Sequence, residues 1–284
     1  MRRDFLLPHR GEGALAAFDY GPRDQPVDLI FLHANGFNAL TYRRILGPLA
    51  AGFRVLAVDQ RGHGATTLPT RVQGRTDWLD FRDDILGLLE RLDSREVVLA
   101  GHSMGGTAAL MAAAKAPDRV RRLVLFDPVI MPAVLPQGHL TDSPLHQGAL
   151  RRRAEFPSRH AALEAYRGRG AFATWPNDIL ADYVAGGFRD LPGGGVRLAC
   201  DPAWEASSYA SHDHDARGAF GLSVCPIAVL RAETGSTCRI DDEIVDLTAD
   251  GRIAVETVPG TTHFLPMERP DLATSTLAGA LART

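Results

Sequence analysis

The feature that most restricts the fold is a glycine-rich turn joining a predicted strand to a predicted helix. The strand reads EVVLAG over residues 96–101, and the helix reads SMGGTAALMAAAKA over residues 103–116. Across the junction, Gly101, Ser103 and Gly105 form the pattern G-x-S-x-G. Such a turn is so tight that its flanking positions accept only small residues, and it lifts the serine hydroxyl above the sheet. The pattern therefore predicts a nucleophilic Ser103 on an α/β sheet.

Strand-like and helix-like segments alternate through the N-terminal half of the chain. The strand-like segments are apolar without a two-residue alternation, which is typical of strands buried on both faces of a parallel sheet. They cover residues 28–34, 54–59, 96–101 and 122–127. The helix-like segment 77–92 repeats apolar residues at helical spacing. We therefore predict an α/β fold with an open, doubly wound, mostly parallel sheet.

The alternation stops after the fourth of these segments. Residues 132–217 contain helix-like pieces separated by proline and glycine clusters, without a convincing central strand. Two further strand-like segments follow at residues 227–232 and 252–258. The sequence thus predicts a core formed by residues 1–131 and 218–284, interrupted by a mostly helical insertion.

Composition and charge exclude several classes of protein. With 284 residues, 45% hydrophobic and 23% charged, the chain is typical of a globular protein, and its net charge of −3 gives no basic footprint for nucleic acid or an acidic membrane surface. The three cysteines show no C-x-x-C spacing, so neither a disulfide framework nor a zinc knuckle is indicated. No stretch approaches the roughly 18 apolar residues of a membrane span. We expect a cytoplasmic protein, monomeric or homodimeric, without nucleic-acid or membrane partners.

A serine hydroxyl is a weak nucleophile and needs a base, normally a histidine held by a carboxylate. His263 lies in VPGTTHFLPMERP, residues 258–270, directly after the last predicted strand. A sheet whose last strand ends in this turn can place His263 beside Ser103. His263 is therefore the predicted base.

Four motifs together make the sequence resemble the α/β-hydrolase superfamily. They are HANGF (33–37), DQRGHG (59–64), GHSMGG (101–106) and GTTHF (260–264). The resemblance implies an α/β-hydrolase fold with a helical cap inserted between strands six and seven. It also implies a triad of nucleophile, acid and base, and an oxyanion hole built from two backbone N–H groups.

Other polar residues of these four motifs, apart from Ser103 and His263, are interpreted as structural. Asp59 and Arg61 are expected to fix the loop that contains DQRGHG. His33 and His102 are expected to pack or to orient the backbone, and not to transfer protons.

The resemblance implies that one N–H group of the oxyanion hole belongs to Met104, the residue after the nucleophile. The other comes from the loop after strand three, where this chain reads His-Ala-Asn-Gly-Phe in place of the common His-Gly-x. Counting from His33 selects Asn35, and aligning on Gly36 selects Phe37. Both residues are candidates.

The acid is the point at which this chain departs from most members of the superfamily. They carry an aspartate shortly after strand seven, but the corresponding stretch here, LRAETGSTC, has a glycine and a serine at that place. Members similar to haloalkane dehalogenases carry the acid at the end of strand six, where Asp127 stands in LFDPVIM. We predict Asp127 as the acid, with Glu233 as the alternative. Asp241 and Asp242 are interpreted as residues in the first turn of a helix, where carboxylates interact favourably with the positive end of the helix dipole.

These residues predict a serine hydrolase that cleaves a carboxylic ester, lactone or thioester of a small apolar substrate through an acyl-enzyme, without a cofactor. The alternatives are carbon–carbon bond hydrolysis, acyl transfer or cofactor-free peroxidation with the same triad, and a non-catalytic ligand receptor. A serine at position 103 argues against haloalkane dehalogenase and epoxide hydrolase chemistry, since those relatives need a carboxylate nucleophile.

The insertion is expected to shape the substrate pocket. Trp175, Tyr183 and Trp204 are the candidate lining residues, although aromatic residues at helical spacing also fit a plain core. The segment SHDHD, residues 211–215, approaches the metal motif H-x-H-x-D-H. Its aspartate is one residue out of place and the closing histidine is absent, so we interpret it as a solvated hinge and expect no metal.

Overall fold

A computed structural model describes residues 1–131, 140–240 and 251–282. Within this part of the chain, the main sheet has eight strands. In chain order they are β1 (Arg2–Phe5), β2 (Leu15–Tyr20), β3 (Leu29–Leu32), β4 (Val55–Asp59), β5 (Val97–His102), β6 (Val120–Phe126), β10 (Ile227–Ala232) and β11 (Ile253–Val258). Their order across the sheet is β1-β2-β4-β3-β5-β6-β10-β11.

The sheet is mostly parallel, as predicted. In the order across the sheet, every neighbouring pair from β4 to the edge strand β11 is parallel. At the other edge, β2 pairs antiparallel with both β1 and β4. The central strand β6 pairs with β5 on one side and with β10 on the other, in a register that sets Leu123 beside Leu99 and Ile227. Because parallel strands end at the same edge, the segments that follow β5, β6, β10 and β11 converge there.

Helices cover both faces of the sheet. They are α1 (Arg43–Leu46), α2 (Leu79–Glu90), α3 (Met104–Lys115), α4 (Pro144–Leu150), α5 (Arg159–Tyr166), α6 (Asn177–Gly187), α7 (Pro202–Tyr209), α8 (Ala216–Leu222), α9 (Leu265–Glu268) and α10 (Pro270–Leu281). Short 3₁₀ turns cover Ala39–Tyr42, Gly47–Ala51, Pro117–Arg119, Leu140–Asp142 and Gly170–Phe172. None of the helices in the described ranges is long and apolar enough to span a bilayer.

The core consists of two apolar layers separated by the sheet. Ile30 and Leu32 of β3 face the layer that contains α2, α3 and α8, while Leu29 and Phe31 face the layer that contains α1 and α10. Successive side chains of a strand point to opposite faces, so a strand that is apolar at every position can bury both sets. This accounts for the unbroken apolar runs in the sequence.

The described part of the segment between β6 and β10 holds α4 to α8 and a small antiparallel sheet. That sheet consists of β7 (Glu155–Phe156), β8 (Phe188–Asp190) and β9 (Val196–Leu198), in the order β7-β9-β8. The predicted boundary between residues 217 and 218 falls inside α8, which packs against α3. The predicted first residues of the insertion, from 132, and the predicted helical turn at Asp241 and Asp242 lie outside the described residues.

Candidate active site

Ser103 lies in the sharp turn between β5 and α3. Its backbone has φ 54° and ψ −125°, a conformation that costs a non-glycine residue about 1–3 kcal/mol and persists only where the surrounding structure enforces it. A Cβ atom on Gly101 would lie 2.4 Å from the Gly105 backbone, and one on Gly105 would lie 2.4 Å from the Leu32 carbonyl oxygen. The two glycines are therefore required by close backbone approach. The N-terminus of α3 beneath Ser103 adds positive potential at this point.

The loop after β11 places His263 against Ser103. The His263 Nε2 atom lies 3.0 Å from the Ser103 hydroxyl oxygen, and His263 Nδ1 lies 2.6 Å from Asp127 Oδ2. Since a carboxylate only accepts, the Nδ1 atom carries the proton and the Nε2 lone pair faces the serine hydroxyl. The three side chains thus form one continuous line of polar contacts.

Asp127 follows β6 and is fully buried. Its Oδ1 atom accepts hydrogen bonds from the Ala232 N–H at 2.9 Å and the Ser236 hydroxyl at 2.5 Å, and Oδ2 accepts from the Thr237 N–H at 3.0 Å. Burial raises the pKa of the Asp127 carboxyl, but the hydrogen bond and charge of His263, with the bonds from Ser236 and Ala232, outweigh it and hold the pKa below its ordinary value. The carboxylate is therefore charged at neutral pH.

Glu233, the alternative acid, points elsewhere. Its carboxylate accepts a hydrogen bond from the Gly260 N–H at 2.9 Å, and its side chain is exposed. Of the two candidates, Asp127 contacts the His263 imidazole and Glu233 supports the turn that leads to it.

Three backbone N–H groups of the HANGF loop, those of Ala34, Gly36 and Phe37, donate hydrogen bonds. The Gly36 N–H donates to His63 Nε2 at 3.0 Å, and the Phe37 N–H donates to the Ala34 carbonyl at 3.1 Å. Within the described ranges, the Asn35 N–H has no hydrogen-bond acceptor. On the other side of Ser103, Met104 is the first residue of α3, so its N–H has no carbonyl within the helix to bond.

The Asn35 side chain attaches this loop to α7 in the segment between β6 and β10. Asn35 Nδ2 donates to the Glu205 carbonyl of α7 at 3.0 Å, and Asn35 Oδ1 is buried without a partner in the described structure. Glu205 also forms an ion pair of 2.5 Å with Arg152, whose guanidinium donates to the Tyr183 hydroxyl at 2.7 Å. A Cβ atom on Gly36 would lie 2.5 Å from the Glu205 carboxylate.

Two of the three predicted pocket residues lie against Phe37. The ring centroids of Trp175 and Tyr183 lie 5.1 Å and 5.7 Å from that of Phe37. The Phe264 ring stacks on Phe37 with 6.2 Å between centroids. Phe37 and Phe264 are half-buried, whereas Trp175 and Tyr183 are buried behind them. Sequence reasoning did not select Phe264, although its position directly after the base is a signal for it.

Trp204 lies apart from this aromatic group. Its indole N–H donates to the Arg61 carbonyl at 3.0 Å, the Arg75 guanidinium lies 4.2 Å above its ring, and its edge meets Phe81. It belongs to the apolar layer of α2 and α3, whereas Trp175 and Tyr183 belong to the opposite layer.

The SHDHD segment also lies outside the group around Ser103. The rings of His212 and His214 lie 5.3 Å and 4.6 Å from the Trp78 ring. Over the ranges that the structure describes, no three or more His, Cys, Asp or Glu side chains lie close enough together to hold a metal ion.

Known proteins resemble this chain in sequence. Residues 29–275 match the model of a family described as the alpha/beta hydrolase family. The chain is 27% identical over 250 residues to 2-(acetamidomethylene)succinate hydrolase of Mesorhizobium japonicum, which covers 86% of this chain and 84% of that protein.

Solved structures resemble it in fold. The crystal structure of E-2-(acetamidomethylene)succinate hydrolase matches 98% of each chain with a TM-score of 0.80, at 24% identity. An esterase of M. tuberculosis matches 99% of this chain and 91% of its own with a TM-score of 0.74, at 25% identity. The family model spans the strands and loops that carry Ser103, Asp127 and His263, and the chain therefore belongs to the alpha/beta hydrolase family.

Proposed function

We propose that this protein is a serine hydrolase that cleaves a carboxylic ester, lactone or thioester of a small, apolar substrate through an acyl-enzyme. The observation that carries the proposal is the line of contacts from Asp127 through His263 to Ser103, at 2.6 Å and 3.0 Å. These distances lie within the hydrogen-bond reach that nucleophilic catalysis by serine requires.

In the proposed mechanism, His263 Nε2 removes the Ser103 hydroxyl proton as the oxygen attacks the substrate carbonyl carbon. The protonated imidazole then gives that proton to the leaving alkoxide or thiolate, and the acyl group remains on Ser103. Water, deprotonated by His263, attacks the acyl-enzyme and releases the carboxylic acid. Asp127 holds the Nδ1–H and stabilises the imidazolium in each half of the cycle.

The oxyanion of each tetrahedral intermediate is assigned to the backbone N–H groups of Met104 and Asn35. Supporting this choice, the Phe37 N–H already bonds the Ala34 carbonyl and the Gly36 N–H already bonds His63, whereas the Asn35 N–H is without an acceptor in the described ranges. A donor of this kind contributes about 10²- to 10³-fold to kcat. The proposal therefore favours Asn35 over Phe37 and gives Phe37 a different part, as a ring against the substrate.

The aromatic group around Phe37 supports an apolar acyl site. The Trp175 and Phe264 rings contact Phe37, whose own chain segment carries the proposed oxyanion donor. Apolar and aromatic walls with few polar groups are typical of pockets for small substrates. The M. japonicum relative is named as a hydrolase of an acetamido compound, so an N-acetyl substrate belongs in the same test.

The test is a panel of p-nitrophenyl esters from acetyl to decanoyl with p-nitroacetanilide as the amide, and fluorophosphonate labelling located by mass spectrometry. Wild type, Ser103→Ala and Ser223→Ala are compared; Ser223 is a buried serine whose hydroxyl bonds the Ala219 carbonyl. We expect ester turnover and a label on Ser103, both lost only in Ser103→Ala. Absence of the label on Ser103 contradicts the serine mechanism. A label without turnover of any ester contradicts the ester assignment and favours carbon–carbon bond hydrolysis.

A further inference from the structure

A buried chain of hydrogen bonds runs beside the candidate active site and has no part in the mechanism above. The Ala34 N–H donates to the Tyr42 hydroxyl at 3.2 Å, the Tyr42 hydroxyl lies 2.7 Å from His102 Nδ1, and His102 Nε2 lies 2.7 Å from the His263 carbonyl oxygen. Tyr42 and His102 are both fully buried. The first two hydrogen bonds are therefore shielded from solvent, and the third, at His263, is part-buried.

The direction of each hydrogen bond in this chain follows from the His263 carbonyl oxygen at its end. A carbonyl oxygen only accepts, so His102 Nε2 carries a proton and donates to His263. In a neutral imidazole the other nitrogen is then an acceptor, and the Tyr42 hydroxyl donates to Nδ1. Burial, followed by the neighbouring His263, lowers the pKa of His102 to about 3, which keeps the ring neutral. Every donor and acceptor in the chain is thereby satisfied.

The chain touches the backbone next to each proposed catalytic group. Ala34 precedes Asn35, the proposed oxyanion donor, and His102 precedes Ser103, the nucleophile. The carbonyl at its far end belongs to His263 itself. Two loops from different strands, after β3 and after β11, are thus joined through one side chain of the nucleophile turn.

We propose that Tyr42 and His102 are positioning residues that set the distance between the oxyanion donor at Asn35 and the base at His263. The proposal rests on the proposed function, because it assigns these residues to the geometry of the same acyl transfer. Neither side chain touches substrate or exchanges a proton with it. A misplacement of about 1 Å in a catalytic group can cost about a hundredfold in rate, so a link of this kind affects kcat.

Tyr42 offers a clean test because its ring and its hydroxyl have different partners. The ring packs on Phe31 at 4.6 Å between centroids, and a phenylalanine keeps that contact while it removes both hydrogen bonds of the hydroxyl. Tyr20 is the matched control, since its buried hydroxyl has no partner in the described structure. We expect Tyr42→Phe to lower kcat about tenfold with KM changed less than about twofold, and Tyr20→Phe to leave both unchanged.

His102→Asn is the second variant, and it acts on the same chain. Its side-chain oxygen can take the place of Nδ1 beside Tyr42, but the donor to His263 is lost. Because both substitutions interrupt one link, the loss of kcat in the double variant should be smaller than the product of the two single losses. His214→Asn, which replaces a largely buried imidazole against Trp78, serves as the control for loss of a ring.

Two further measurements separate this proposal from the proposed function. ¹⁵N spectra of the histidine rings report the tautomer of His102 directly, and we expect an Nε2–H signal and a change in the His263 signals on Tyr42→Phe. Fluorophosphonate labelling of wild-type Ser103 reports the nucleophile independently. If Ser103 is labelled but Tyr42→Phe keeps wild-type kcat, or if the single losses multiply, the positioning role is wrong. If Ser103 is not labelled while the histidine spectra are as expected, the link stands and the serine mechanism fails.

Discussion

Two buried aspartates at strand ends of the main sheet have pKa values shifted in opposite directions. Asp59 ends β4, and its carboxylate accepts from the backbone N–H groups of Ala39 at 2.7 Å and Ala65 at 2.8 Å. Burial dominates there and raises the pKa of Asp59 to about 6. Asp127 follows β6, is equally buried, and has a pKa below its ordinary value.

The difference lies in the donors. Among the described residues, no side-chain cation is in direct contact with Asp59, which joins the loops that follow β3 and β4. Asp127, in contrast, has an imidazole, a hydroxyl and backbone N–H groups around it. A buried carboxylate remains charged only if its hydrogen bonds compensate for the loss of water. Burial at a strand end therefore does not distinguish a structural aspartate from a proposed catalytic one; the surrounding donors do.

The largest expected effect comes from Asp127→Asn. An amide cannot hold the Nδ1–H of His263 as a carboxylate does, so the imidazole loses its tautomer and its charge support, and we expect kcat to fall about 10⁴-fold. Circular dichroism should show the wild-type fold. Turnover of the preferred p-nitrophenyl ester measures the effect, and a rate near wild type would remove Asp127 from the mechanism.

Asp59→Asn should affect stability and leave the chemistry nearly intact. The folded-state pKa of about 6 lies above the unfolded value, so the wild type is favoured at low pH and loses about 3 kcal/mol of unfolding free energy as pH rises from about 4 through about 6. The asparagine variant has no charge to bury and lacks this loss. Urea denaturation at pH 4.5 and 7.5 measures the unfolding free energy of both proteins. If it changes by the same amount in both between these pH values, the raised pKa of Asp59 is contradicted.

In the same Asp59→Asn variant, we expect kcat to stay within about tenfold of wild type, because Asp59 contacts none of the three proposed catalytic side chains. A loss as large as that of Asp127→Asn would erase the distinction between the two aspartates.

A smaller effect is expected from Ser236→Ala. The substitution removes the hydroxyl that donates to Asp127 Oδ1, while the Ala232 N–H remains on the same oxygen. One hydrogen bond to a charged group contributes about 1.5 kcal/mol or more, so kcat/KM should fall about tenfold. Ser223→Ala is the control, and equal rates in the two variants would show that this donor has no influence on the carboxylate.

The smallest effect is expected from Glu233→Gln. The glutamine retains an oxygen that can accept from the Gly260 N–H, and the side chain is exposed. Steady-state kinetics should therefore give kcat within about twofold of wild type. Loss of activity here, with Asp127→Asn active, would transfer the role of the acid to Glu233.

The sequence was sufficient for the fold because the signals were local and strong. The segment 227–232 corresponds to β10 (Ile227–Ala232), and the glycines at 101 and 105 fix the turn before α3. The residue pattern does not predict β7, β8 and β9, since segments of two or three residues carry no measurable periodicity. It also does not single out β1 and β2 at the antiparallel edge of the main sheet.

The choices that the sequence left open depend on contacts between distant segments. Asp127 and Glu233 follow the neighbouring strands β6 and β10, and the loop after β11 decides which carboxylate meets His263. Asn35 and Phe37 differ in whether their N–H groups are already bonded, which a sequence does not reveal. The same holds for Trp204, whose place in the opposite layer depends on which face α7 turns toward α2.

The contact between Gly36 and Glu205 has a consequence for how such a protein can diverge. Any side chain at position 36 would collide with the Glu205 carboxylate, and the Glu205 carbonyl holds the amide of Asn35. Exchanging the segment between β6 and β10 for that of a relative would therefore also disturb the HANGF loop, which carries the proposed oxyanion donor. A chimera made in this way would need compensating changes at positions 35 and 36 before its new specificity could be measured at full rate.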